Sequence, residues 1–144
     1  MMKFKVNIDN EEDLKKRDAS FSYGWFTLSG NDLEFSFFKT RKCMVFITLS
    51  TLLDDIIKNK NSKNFTLKWV GDGNGKHFIF RLKGNNLEIK DDQFSINIDF
   101  KNFIEELFKE AKSFHFFCLV NNPDIVNESM FNNLDHSVRN LEYS

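Results

Sequence analysis

Phe65-Thr66-Leu67-Lys68-Trp69-Val70, then Gly71-Asp72-Gly73-Asn74-Gly75, then His77-Phe78-Ile79-Phe80-Arg81-Leu82 is the stretch that decides the fold. Apolar and polar residues alternate through the first run, the period of a strand with one face buried. Gly, Asn and Asp then cluster, and these residues accept the backbone angles of a tight turn. A second apolar run comes at once, so the two runs read as a β-hairpin. The pattern continues downstream. Gly84-Asn85-Asn86 is a turn, Leu87-Glu88-Ile89 a strand, Asp91-Asp92 a turn, and Phe94-Ser95-Ile96-Asn97-Ile98 a strand. Strands joined by short polar turns pair antiparallel as a meander, with one face packed and one wet.

Toward the N-terminus, Phe4, Val6 and Ile8 alternate with Lys3, Lys5 and Asn7, which predicts another half-buried strand. Asn10 to Asp18 is almost entirely charged and reads as a loop or a short exposed helix. Phe21 to Leu28 and Leu33 to Phe38 are aromatic-rich runs split by Ser29-Gly30-Asn31-Asp32, a second hairpin. Cys43 to Ile47 reads as a further strand running into a helix. Leu49, Leu52, Leu53, Ile56 and Ile57 then lie on one helical face, with Thr48 or Ser50 placed to cap the first turn.

Asp99 is placed to cap a second helix whose apolar stripe is Phe100, Phe103, Ile104, Leu107, Phe108 and Ala111. Glu105 and Lys109 form a favourable i,i+4 pair off that stripe. Phe114 to Val120 is continuously apolar and fits either a central strand or an extension of the helix. Asn122-Pro123 predicts a third helix start, with Val126, Met130, Leu134 and Val138 recurring every four residues. The expected architecture is α+β. An antiparallel meander sheet carries two to three helices in one domain over residues 1–144, with the C-terminal helix of residues 122–144 at its periphery.

Composition agrees with a folded core. Of 144 residues, 41% are hydrophobic and 28% charged, which excludes a disordered chain. Eighteen are Phe and one is Pro, which implies a phenylalanine-filled interior. Twenty basic residues against 21 acidic ones leave a net charge of −1, without the positive field that non-specific nucleic-acid binding needs. Residues 101–144 are mildly acidic, with four basic groups against seven acidic, Glu142 among the latter. No stretch reaches the roughly 18 uncharged apolar residues of a membrane span. Met1-Met2-Lys3-Phe4-Lys5-Val6-Asn7 is too polar for a signal peptide. Cys43 and Cys118 are isolated within apolar runs, as buried free thiols of a reducing compartment would be. These features point to a cytoplasmic protein with neither nucleic acid nor membrane as partner.

Motifs for chemistry are sparse. Gly71, Gly73 and Gly75 have the spacing GxGxG and lead into a strand, whereas a dinucleotide loop needs GxGxxG opening a helix. Asp72, Asn74, Asp91 and Asp92 lack the offsets of a calcium loop and fit turns. His77, His115 and His136 have no metal-ligand spacing. His115, between Phe114 and Phe116, reads as a satisfied histidine at the core or its edge. Neither thiol has a local cation or helix start to activate it, and no GxSxG elbow occurs. The carboxylate pairs Asp54-Asp55, Asp91-Asp92 and Glu105-Glu106 are sequence neighbours and so diverge in direction on a helix or are solvated at a turn. Trp25 and Trp69 lie on strands and are expected in the core. The expectation is a chain without catalytic residues, metal or cofactor.

One segment carries a family likeness. Tyr23-Gly24-Trp25-Phe26-Thr27-Leu28-Ser29-Gly30, followed by apolar strands and the helix Leu49–Ile57, resembles the immunity proteins that bacteria encode beside secreted or contact-delivered toxins. The likeness spans residues 21–112 and rests on the Gly-Trp strand and the small phenylalanine-rich α+β plan. It implies a cytosolic protein that inhibits a cognate toxin stoichiometrically by occluding its active site. In that reading acidic side chains stand in for phosphate and meet a basic cleft, speeding encounter and setting specificity. Asp54, Asp55, Asp91, Asp92, Glu105 and Glu106 are then the candidate partner-binding residues. Two other classes stay open. One is a small-molecule or enzymatic domain with a phenylalanine-lined pocket beside His77 or His115. The other is a structural domain that self-associates through the last helix.

Overall fold

The computed structural model describes residues 2–141. Met1, Glu142, Tyr143 and Ser144 lie outside the described residues, and with them the acidic group of Glu142 and the last three positions of the expected C-terminal helix.

The described chain runs β1 (Lys3–Ile8), 3-10 turns at Glu11–Lys15 and Ala19–Phe21, β2 (Tyr23–Ser29), β3 (Glu34–Phe37), β4 (Cys43–Met44) and α1 (Val45–Asn59). It continues as β5 (Asn64–Val70), β6 (His77–Lys83), β7 (Asn86–Lys90), β8 (Ser95–Asp99), α2 (Phe100–Asn121), a 3-10 turn at Pro123–Asn127 and α3 (Ser129–Asn140). The fold is α+β, as the sequence pattern implies. The strands form two antiparallel sheets rather than one. In the first, β2 is central and pairs with β1 along its length, with β3 over Phe26–Ser29 and with the short β4 over Tyr23–Gly24. The second is the meander β5-β6-β7-β8. The reason for two sheets is the size of their apolar faces, because each aromatic face needs a partner and each covers the other.

Trp69 lies in that seam and is 1% exposed. Its ring centroid is 5.0 Å from that of Phe26, 5.2 Å from Phe37 and 5.1 Å from Phe38, all in or next to the first sheet. Its indole N–H donates to the Thr48 carbonyl at 2.8 Å, reaching into α1. Phe78 and Phe80 of β6 meet Phe37 at 5.0 and 6.3 Å. Phe38 has φ +64°, a left-handed conformation that a bulky residue adopts at a cost of about 1–3 kcal/mol. That turn of the backbone ends β3 and drops the Phe38 ring between Trp69 and Phe78, where its burial offsets the strain.

The glycine of the Gly-Trp pair has a steric reason. A Cβ at Gly24 would collide with the Asn7 carbonyl and touch Val45, so β1, β2 and the start of α1 close on each other only around hydrogen. Trp25 departs from the expectation of a core tryptophan. It faces outward and is half-buried, with the Lys42 ammonium 5.5 Å from its ring centroid. Strand alternation puts Phe26 inside and therefore Trp25 outside.

Helix boundaries also shift. The strand expected over 43–47 ends at Met44, and α1 starts at Val45. Neither Thr48 nor Ser50 caps it. Thr48 lies one turn in, and its hydroxyl accepts the Asp72 N–H at 3.0 Å. The Gly71–Gly75 turn is the expected hairpin, and it also bolts the sheets together. Met44 N–H donates to the Asp72 carbonyl, and the Asn74 side-chain amide donates to the carbonyls of Arg41 and Lys42.

Asp99 does cap α2, accepting the Asn102 N–H at 3.0 Å. Phe114 to Val120 is the continuation of α2, with Phe114 and Cys118 buried one turn apart. Asn122-Pro123 opens a 3-10 turn, and α3 begins only at Ser129. The fully docked stripe of α3 is Phe131, Leu134 and Ser137, with Met130 and Val138 of the expected repeat packed partly buried beside it, whereas Val126 precedes the helix and is 49% exposed. Ser137 and Ser50 of α1 meet hydroxyl to hydroxyl at 2.7 Å, small side chains that let α1 and α3 approach closely.

Because Trp69 touches both sheets and α1, Trp69→Ala is expected to cost about 3–5 kcal/mol. The neighbouring Val70→Ala, at an exposed position, is expected to stay within about 0.5 kcal/mol. Paired urea-unfolding curves measure both, and equal midpoints would remove Trp69 from its central role.

Candidate functional site

The six carboxylates that the sequence nominates lie on three different elements, and some of them already have tasks within the fold. Asp54 and Asp55 are on α1. Asp54 accepts a hydrogen bond from the Ser137 hydroxyl at 2.7 Å, which closes the polar seam between α1 and α3. Desolvation pushes the Asp55 carboxyl up, and the charge of Asp54 adds to it. Asp91 and Asp92 sit in the turn after β7. Asp91 accepts the N–H groups of Gln93 and Phe94 at 2.9 and 2.8 Å and lies 3.6 Å from the Lys76 ammonium. Burial raises its carboxyl, but these donors outweigh burial and leave it below the usual carboxylate range. Glu105 and Glu106 lie in the first half of α2, off its buried stripe.

Sequence reasoning missed what stands beyond Glu105 and Glu106 on the same helix. Phe116, Phe117 and Val120 are 67, 44 and 60% exposed. Helical geometry puts Glu106, Glu110, Ser113, Phe117 and Val120 in one row, with Glu105, Lys109, Lys112 and Phe116 beside it. The outer face of α2 is therefore charged in its first half and aromatic in its second. Phe117 borders a hollow of about 170 Å³ that it shares with Val6, Ile8, Glu11 and Leu14. A signal for this face existed. Read with a period of 3.6, the run Phe114–Val120 sends Phe114 and Cys118 inward and leaves Phe116, Phe117 and Val120 outside.

Glu110 reaches from this helix to the edge of the first sheet, where its carboxylate accepts the Val6 N–H at 2.7 Å. That bond satisfies an edge-strand donor, and the helix itself covers the edge. Desolvation outweighs the bond and pushes the Glu110 carboxyl up.

His115 is satisfied, as its flanking phenylalanines imply. Its Nε2 lies 2.8 Å from Asp135 of α3, and its ring stacks on Phe131 at 5.1 Å. Arg139 donates to the other Asp135 oxygen at 2.8 Å. Burial raises the Asp135 carboxyl, and its bonds to His115 and Arg139 more than reverse this. The cluster clamps α3 onto α2. Burial pushes both thiols, Cys43 and Cys118, up to about 12, so neither is ionised at neutral pH. Among the described residues, no group of three or more His, Cys, Asp or Glu converges as metal ligands, every buried side-chain N or O has a hydrogen-bond partner, and no helix is long and apolar enough to cross a membrane.

His77 lies in a hollow of about 400 Å³ with Arg41, Lys76, Lys90, Asp91 and Asp92. A third hollow, about 310 Å³, opens between β3 and the turn after β7, with Phe35, Phe78 and the 64%-exposed Phe94 in its walls. No family model, curated protein or solved structure matches the chain.

Two carboxyls give pH effects of opposite sign. The Glu110 carboxyl is raised in the folded state, so it favours folding most at low pH and this contribution is lost as pH rises through the folded value. Glu110→Gln keeps an acceptor for the Val6 N–H without the buried charge, and is expected to melt above the parent protein at pH 7 and level with it near pH 4. The Asp135 carboxyl is lowered, so its contribution is full above the ordinary carboxylate value of 3.8 and fades as pH falls below it. Asp135→Asn is expected to cost about 2 kcal/mol at pH 7, and its deficit is expected to shrink as pH drops below about 3.8. Melting curves across pH 2–8 give both answers.

Proposed function

We propose that this chain is a non-catalytic inhibitor of another protein, an immunity protein that neutralises a cognate bacterial toxin in the cytosol by covering its active site. The observation that supports this reading is the outer face of α2. Phe116, Phe117 and Val120 stand out into solvent within two turns of one another, although the same helix has a fully occupied inner stripe. Large apolar side chains grouped on a surface and rimmed by charge mark contact sites. Such a patch supplies anchors that fill pockets on a partner and keep water from the charge pairs around them.

The mechanism is steric. The helix lies across the mouth of the toxin's cleft, the aromatic half providing most of the affinity. Glu105 and Glu106, in the charged half, meet basic residues that otherwise bind the toxin's own anionic substrate. Asp54 and Asp91 have intramolecular partners and contribute less to such a contact.

On this reading a neighbouring gene encodes a large secreted protein, and the experiment pairs the chain with that protein's C-terminal domain. Co-expression is expected to rescue growth, and the purified pair to elute as a 1:1 complex. Phe116→Ser with Phe117→Ser is expected to weaken the complex at least about tenfold, since each lost anchor is worth more than about 1 kcal/mol. Glu105→Lys with Glu106→Lys is expected mainly to slow association. A toxin that still kills in the presence of the folded chain would end this reading.

A second reading has one observation of its own, the hollow in which His77, Arg41 and Lys90 stand beside Asp91, Asp92 and the Asp91-paired Lys76, a mixed polar lining suited to a small polar ligand such as an anion. Inorganic phosphate at millimolar concentration is expected to raise the melting temperature if that hollow is a binding site. An unchanged melting temperature would dismiss it.

A further inference from the structure

The wet face of the second sheet has a charge pattern that the proposed α2 contact does not use. Strand register sets out its rows. Lys68, Ile79, Lys90 and Ser95 lie side by side across β5 to β8. The next row is Thr66, Arg81, Glu88 and Asn97, and the row after it Asn64, Lys83, Asn86 and Asp99. The opposite face of every strand is packed into the core through Leu67, Trp69, Phe80, Leu82, Ile89 and Ile98, so this face is the open one, and at one end of it Ile79 and Lys90 border the hollow that holds Arg41, Lys76, Asp91 and Asp92.

Lys68, Arg81 and Lys83 are exposed and Lys90 is half-buried. The ion pairs within 4.0 Å among the described residues include none of these four. Glu88 and Asp99 are the carboxylates in the same three rows. Four cations against two carboxylates give a chain of net charge −1 one open face with a local positive excess. In the first of these rows Ile79 is half-buried between Lys68 and Lys90, and the exposed Val70 lies just beyond that row on the same face. Apolar side chains flanked by charge are the elements of a protein–protein contact.

We infer that the open face of β5–β8 docks an acidic protein surface, with Lys68, Arg81, Lys83 and Lys90 meeting carboxylates around an apolar side chain seated on Ile79. Charge complementarity selects the partner's sign. The three rows contain no aromatic side chain on which a base could stack, and single-stranded nucleic acid binds sheet faces through such stacking. This inference goes beyond the α2 contact. It uses a different surface, and it holds or fails whether or not the partner of α2 is a toxin.

The probe is a short oligoglutamate peptide, used alone and with two central residues replaced by Leu, titrated into the isotopically labelled chain. Amide shifts are expected to concentrate in residues 64–70, 77–83 and 86–90, with tighter binding by the Leu-containing peptide. Lys68→Glu with Arg81→Glu is expected to weaken binding about tenfold or more while the melting curve stays in place. Ile79→Ala is expected to abolish the preference for Leu. Raising salt from about 50 to about 300 mM is expected to weaken both peptides, as screening requires. Three results would overturn the inference: shifts that map elsewhere, inorganic phosphate alone reproducing the shifts, or a DNA duplex binding more tightly than the peptides at equal ionic strength.

Discussion

The contact between Trp69 and the phenylalanines of the first sheet is the constraint on which the rest of the structure depends. Neither sheet can stand alone, because each has one fully apolar face. The first offers Phe4, Phe26, Leu28, Phe35 and Phe37, the second Trp69, Phe78, Phe80, Leu82 and Ile89. Trp69 is the widest of these groups and the one with a polar atom. Its ring fills the space between the sheets, and its N–H bond to Thr48 fixes where α1 lies. The Thr48 hydroxyl then holds the Asp72 N–H, and Asp72 holds Met44, so a single tryptophan sets the spacing of both sheets, one helix and one hairpin. Aromatic rings suit this task, because offset and edge-on pairs tolerate the irregular angles between twisted sheets.

The fold is legible in the sequence where periodicity and turn chemistry act locally. The meander, the hairpin at Ser29–Asp32, the inner stripe of α2 and the cap at Asp99 depend on neighbours within a few positions, and all are present. It is illegible where the answer depends on what lies opposite. Alternation says that one face of a strand is covered, not whether a helix or another sheet covers it, so two sheets read as one. Size alone places Trp25 inside, although its neighbour Phe26 has the stronger claim to the core in an alternating strand. A four-residue repeat predicts a third helix through Val126, but the α-helix begins only after it, and Ser137 takes a buried position that hydrophobicity would never assign. A serine fits there because α1 presents another serine to bond with it.

The candidate carboxylates show the same limit in electrostatic form. Sequence displays charge as a list, whereas the fold decides which charges are already answered. Asp54 is held by Ser137, Asp91 by its own turn and Lys76, and Glu110 by a strand edge. Glu105 and Glu106 remain available on α2, and so do the cations on the wet face of the second sheet. A near-neutral chain therefore presents two unlike surfaces, one of mixed charge and aromatic, the other with more cations than carboxylates. Net charge reveals neither, because it sums over the whole chain.

The length of α2 has a consequence of its own. Its 22 residues extend about 33 Å, while the six-residue strand β1 beneath it extends only about 20 Å. The helix overruns the sheet, and its final turns are braced from below by Phe46, Phe131 and Asp135. Phe116, Phe117 and Val120 hang from the upper side of that cantilever and support nothing in the interior. Mutations there leave the girder that carries the helix untouched, so these positions can vary through many sequences at almost no cost to folding.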